Sequence, residues 1–215
     1  MVIIPAILAT TEDEYQSNLK KIEDSNEFEW VQIDLMDNKF VQNQSISPEI
    51  VAKYSTNLTL EFHLMVEYPD NWIEQLVNIP HVKRIIFPLE DSKVSENIAL
   101  VKNHGLQVGL SINPETNISF LEPFLTQVNL VLIMGVHPGF QGQEFIPETL
   151  KKIKELTSKR VIENLGFKIE VDGGINTENV KSIVSSGADY LVVGSHLLEG
   201  NIRENVEQLK ESING

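Results

Sequence analysis

No cysteine occurs anywhere in the 215 residues. Disulfides and thiolate metal sites are therefore excluded, and histidine and carboxylates are left as the strong candidate ligands. Basic residues are scarce: 17 Lys and Arg stand against 31 Asp and Glu, a formal net charge of −14. Such a field repels nucleic acid and anionic membranes, so neither is an expected partner. An anionic substrate must be captured locally, by backbone N–H groups and helix N-termini. No apolar run approaches the roughly 18 residues of a membrane span, and MVIIPAILATTEDE lacks a basic segment ahead of its apolar stretch. The expected setting is cytoplasmic. Linkers rich in Pro, Gly or Ser are missing as well, which leaves residues 1–215 as one domain.

What the chain does contain is repetition. Short apolar runs recur near residues 2–8, 29–36, 58–66, 82–87, 106–112, 128–136, 167–172 and 189–194, most of them separated by a stretch with helical period. Tyr15, Leu19 and Ile22 follow a Thr11…Glu14 capping box, and Val94, Ile98 and Val101 end before Gly105. Pro147 is placed to open a helix bearing Leu150, Ile153 and Leu156 that stops near Gly166. Asn176 or Thr177 can cap another ending at Gly187, and Ile202, Val206, Leu209 and Ile213 make a last amphipathic face. The helical signal is weakest after residues 40 and 114. Eight alternating units in a chain this short predict an α/β fold, a single (β/α)8 barrel, with its site at the C-terminal ends of the strands.

Polar residues interrupt those runs in phase. In WVQIDLM, Val31, Ile33 and Leu35 share one face of a strand while Gln32, Asp34 and Met36 share the other. A core would not choose that second face, because an unpaired buried charge costs several kcal/mol or shifts its pKa. His63 in FHLMV and Glu170 and Asp172 in IEVDGG alternate with apolar neighbours in the same way. Any one of them could be a satisfied core residue or a turn; together they resemble an acid/base or metal site. Glycine turns supply the other half. PGFQGQEF, DGG and GS follow the sixth, seventh and eighth runs, with Gly139, Gly142, Gly173, Gly174, Gly194 and Ser195 placed to line a phosphate site.

The motifs PAIL (5–8), IDLMDNKFVQN (33–43), HLMV (63–66), GLSINPET (109–116), MGVHPGFQGQEFIPETL (134–150), EVDGGI (170–175) and GADYLVVGS (187–195) resemble the ribulose-phosphate 3-epimerase family over essentially the whole chain. The resemblance implies exchange of the C3 proton between ribulose 5-phosphate and xylulose 5-phosphate, with Asp34 and Asp172 as the two acid/base carboxylates. It assigns His63 and both aspartates to a divalent metal that polarises the substrate carbonyl, and Met36, Met65 and Met134 to the lining of the site. A small sugar phosphate is the implied partner, and self-association is open.

The chain departs from the family pattern at particular positions. Gln32 stands where the family usually has a second metal-binding histidine, Ala6 where it has a serine near the substrate, and Ala9 where a phosphate-contacting serine is common. Gln141 replaces a turn glycine and Pro88 a histidine. A neutral amide is a poor ligand for Zn²⁺, so the implied Zn²⁺, Mn²⁺ or Fe²⁺ is weakly held or absent, with Asp34, His63 and Asp172 as its ligands. His137 is the one other histidine able to approach, and as a loop residue it is expected to be exposed. Two alternatives stay open: a non-catalytic or regulatory phosphosugar-binding barrel, and a 3-epimerase of another ketose phosphate.

Overall fold

In a computed structural model that describes residues 1–215, each apolar run forms a strand. The strands are β1 (Val2–Ile7), β2 (Trp30–Met36), β3 (Thr59–Met65), β4 (Val82–Pro88), β5 (Gln107–Ile112), β6 (Leu130–Met134), β7 (Lys168–Asp172) and β8 (Tyr190–Val193). All pair in parallel in sequence order, and β8 closes onto β1. The chain is thus the expected (β/α)8 barrel. Alternation sorts its side chains: Val31, Ile33 and Leu35 of β2 point outward and join Phe62, Leu64, Ile85 and Phe87 in the main core between sheet and helices. Each such side chain contributes about 1.5–3 kcal/mol by burial, so an Ile33→Asp change would break this layer.

The helices start and stop where local chemistry directs. In α1 (Glu12–Ser25), Thr11 Oγ1 accepts from Glu14 N at 3.3 Å and the Glu14 carboxylate accepts from Thr11 N at 3.3 Å, completing the capping box. The helix buries Tyr15, Leu19 and Ile22 and ends on Asn26 in the left-handed region. Helix α4 (Val94–Asn103) runs out at Gly105, and α6 (Val180–Ser185) follows Asn176, whose Oδ1 accepts from Glu178 N at 2.9 Å. Helix α5 (Thr149–Ile162) differs from expectation at both ends. It begins two residues after Pro147, and Asn164, at φ 52°, takes the left-handed position ahead of Gly166. The last helix, α8 (Ile202–Asn214), buries Ile202, Val206 and Leu209.

The weak crossovers are physically weak. Helix α2 (Pro48–Ala52) has five residues, and β5 is followed by only a 3₁₀ turn, Ile118–Leu121, between Pro114 and Pro123. Proline lacks the N–H a longer helix would need. Helix α3 (Pro69–Leu76) covers β3 to β4, and α7 (Ser195–Leu198) precedes α8. Trp72 on α3 is half-buried against the main core. No helix is long and apolar enough to cross a membrane.

Candidate active site

Register decides what the inward face of β2 meets. Asp34 lies opposite His63 on β3, Gln32 lies opposite Ala6 on β1, and across the barrel Asp172 pairs with Met134. Gln32 Nε2 donates to Asp34 Oδ1 and to Asp172 Oδ2, at 2.8 Å each. His63 Nδ1 faces the same two oxygens at 3.3 and 3.5 Å. The amide and imidazole are sealed, at 0% and 1% exposure, while Asp34 and Asp172 keep 6% and 9%. The carboxylates are therefore the members of the quartet that open toward the cleft.

Burial drives the Asp34 carboxyl above its ordinary range, and the charge of Asp172 adds to that, against the pull of His63 and Gln32. Burial alone would lower His63, but Asp172 and Asp34 beside it outweigh burial and hold the imidazole up at about 10. Asp34 can therefore keep a proton beside the charge of Asp172.

The donor set also fits a divalent cation. Asp34, His63 and Asp172 offer two carboxylate oxygens and a ring nitrogen that all lie within 4.8 Å of one another. His63 Nδ1 and Gln32 Oε1 are buried with no hydrogen-bond partner. Gln32, beside the three donors, directs its NH₂ at the carboxylates.

Beside the quartet a narrow cleft is lined by Asp34, Met65, Met134, Gly139, Gly142, Asp172, Gly173, Gly174, Gly194 and Ser195, with Ala6 and Gln141 among its walls. No Lys or Arg lines it. The N–H groups of Gly142, Gly173 and Gly174 donate to no acceptor within the chain and are free for a ligand. Glycine is required at two of these positions: at Gly173, φ is 107° and a Cβ would meet Val136 at 2.4 Å, and at Gly174, φ is 68° and a Cβ would meet the Phe145 backbone at 2.5 Å. The β6–α5 loop that covers the cleft is braced from outside. Asn43 Nδ2 donates to Gly139 O at 2.6 Å, and Gln141 Nε2 reaches Leu8 O at 3.3 Å.

The remaining expected residues fall at or beyond the margin. Met36 is fully buried against Met65 and Val41 and does not line the cleft. Ala9, where the family commonly has a serine, is buried in the main core. His137 is exposed and pairs with Glu115 at 3.2 Å. Glu170, grouped with Asp172 in the sequence reading, sits one layer lower and pairs with Arg84 instead. Sequence reasoning missed Arg84 and Glu61; the signal was Glu61 two residues before His63, in the same phase as Glu170 before Asp172. A broader groove between the β4 and β5 loops, bordered by Glu90, Glu115 and Phe120, holds none of the quartet.

Comparison with known proteins points the same way. Residues 2–198 match the model of the ribulose-phosphate 3 epimerase family. A ribulose-phosphate 3-epimerase of Chlamydia pneumoniae is 39% identical, with 85% of this chain and 81% of that protein covered. The one of Bacillus subtilis is 35% identical with 90% of each covered. Among solved structures, 3-keto-L-gulonate-6-phosphate decarboxylase from Vibrio cholerae has a TM-score of 0.74 at 9% identity, covering 100% of this chain and 97% of its own. That likeness is one of fold.

Proposed function

The chain belongs to the ribulose-phosphate 3-epimerase family and is a sugar-phosphate epimerase, and we propose that it interconverts D-ribulose 5-phosphate and D-xylulose 5-phosphate by proton exchange at C3. The observation that carries this reading is the meeting of Asp34 and Asp172, from opposite sides of the barrel, beside a cleft with free backbone donors. One aspartate takes the C3 proton, and the C–H electron pair moves into a C2–C3 double bond while charge passes to the C2 oxygen. The other aspartate delivers a proton to the opposite face of C3, and the electrons return. Each turnover thereby exchanges the protonation states of the two carboxyls.

Gln32 and His63 hold those carboxyls in place. The amide spans both at 2.8 Å, which fixes their orientation without a second charge. A divalent cation held by Asp34, His63 and Asp172, of the Zn²⁺, Mn²⁺ or Fe²⁺ class, would polarise the C2 carbonyl when bound. The phosphate end lies among Gly142, Gly173, Gly174, Gly194 and Ser195, and Met65 and Met134 give the sugar an apolar wall.

A coupled assay of ribulose 5-phosphate conversion, before and after chelation and re-addition of cation, tests the reading, with a six-carbon ketose phosphate run in parallel. Conversion of the five-carbon substrate is expected. Tight binding of sugar phosphate with no turnover under any loading would replace the enzyme by a non-catalytic barrel.

A further inference from the structure

Beneath the quartet the branched aliphatic side chains usual in this fold, here Ile4, Ile86, Leu130, Leu132 and Val192, share the barrel interior with a charged cluster. Arg84 of β4 lies across the interior at 3% exposure. Its Nη1 donates to Glu61 Oε2 of β3 at 2.5 Å and to Glu170 Oε2 of β7 at 3.4 Å, and its Nε to Gln107 Oε1 of β5 at 3.2 Å. The rings of Trp30 and Tyr190 cover the guanidinium at 4.8 and 5.1 Å. Glu61 and Glu170 precede His63 and Asp172 by two residues on the same inward faces, so they lie directly beneath them.

This arrangement is costly in stability. Glu61 Oε1 and Glu170 Oε1 are buried without a partner. A half-satisfied buried ion network is often less stable than apolar side chains of the same volume. What it secures is geometry, because one nitrogen of a rigid planar guanidinium bridges β3 to β7 one layer below the reacting groups while its Nε ties the same group to β5.

We propose that Arg84 is a positioning residue for the epimerisation: by clamping Glu61 and Glu170 it holds His63 and Asp172 at the spacing that the acid/base pair and the cation site require. The proposal rests on the functional reading above and deepens it.

The test replaces the whole clamp with apolar side chains, Glu61→Leu, Arg84→Met and Glu170→Leu together, so that no buried charge is left unpaired. The expected protein has a Tm at or above the wild-type value, a kcat lower by at least about 10-fold and a KM for the sugar phosphate within about 3-fold. Its Mn²⁺ affinity, read by calorimetry, weakens by about 10-fold. Arg160→Met, which removes a remote ion pair to Asp189, is the control and lowers Tm with kcat unchanged. Wild-type kcat and Mn²⁺ affinity in the triple variant would overturn the proposal. Should that variant not fold, Arg84→Lys keeps the charge and loses the planar guanidinium with its Nε bond to Gln107; reduced kcat at unchanged KM supports the clamp, and unchanged kcat overturns it. A wild type that turns over no sugar phosphate sinks the functional reading alone, and cation affinity then decides the clamp.

Discussion

In the upper layer of the barrel interior Asp34 and Asp172 flank His63, and in the lower layer Glu61 and Glu170 flank Arg84. The ingredients match, two carboxyls and one nitrogen base, yet the imidazole can change charge and the guanidinium cannot. Exposure differs too. The upper carboxylates keep an edge on the cleft, while Glu61 and Glu170 are at 0% beneath the quartet and Trp30 and Tyr190 cover the arginine. A carboxyl pair becomes useful for moving protons only where a substrate can reach it and its neutralising partner can be exchanged. Sealed and tied to a permanent charge, the same pair serves as a brace.

Exchanging carboxylate for carboxamide in each layer is the sharpest way to break that distinction. Asp34→Asn or Asp172→Asn removes a proton carrier, and kcat should fall by about 10³-fold or more, within the range that general acid–base groups command. Glu61→Gln keeps an acceptor for Arg84 and should lower kcat by less than about 10-fold. Equal losses in steady-state kinetics would erase the difference between the layers. Gln32→His tests the upper layer from its other side. A ring nitrogen in place of the amide should raise Zn²⁺ affinity by at least the roughly 10–100-fold that even a ligand's supporting partners contribute, measured by calorimetry on stripped protein. Equal affinity in both proteins would show that position 32 is not the missing ligand.

The glycine turns sharpen the contrast at the level of binding. Gly194 has φ −94° and room for a Cβ, whose nearest neighbour would be Ala6 at 3.8 Å. Gly194→Val should therefore crowd the cleft and weaken a phosphate competitor by about tenfold, or about 1.4 kcal/mol, in protein whose circular dichroism matches wild type. Gly174→Ala, at φ 68° and 2.5 Å from the Phe145 backbone, should instead cost stability. With no Lys or Arg in the cleft, competitor affinity should change little when nearby lysines are replaced; a large loss would refute a backbone cradle.

The barrel was legible because its strands carry period two and its outer helices carry caps; Thr11 and Glu14 form the box their spacing predicts. Met36 and Glu170 were harder. Phase tells which way a side chain points, but depth along the barrel axis depends on the stagger between strands, which no single strand encodes. That stagger puts Glu170 beside Arg84 and leaves Asp172 alone with the cleft. Arg84 was invisible for a related reason: a strand-start residue's phase does not say whether it meets the barrel interior, and only closure of the barrel brings its side chain between Glu61 and Glu170.

The smallest effect separates the layers by pH. Burial pushes the Glu61 carboxyl up to about 7 despite the pull of Arg84, and burial followed by the charge of Glu61 pushes Glu170 well above its ordinary range. An acid raised on folding binds more protons in the native state than in the unfolded chain, so stability falls as pH climbs from 4.5 toward 7. The slope is at most about 1.4 kcal/mol per pH unit for each proton. His63, raised to about 10 in the cation-free protein, contributes stability that is complete below 6.5 and is lost as pH rises through about 10. Glu61 and His63 thus lose stability with rising pH in successive windows, and Asp34, raised from 3.8, adds to the first. Denaturant midpoints of stripped protein should show Glu61→Gln reducing the slope of the lower window, to which Glu170 still contributes, while the upper one persists. Parallel curves for wild type and Glu61→Gln between pH 4.5 and 7 would show that the lower carboxyl is already ionised in the fold, and that Arg84 neutralises it in full.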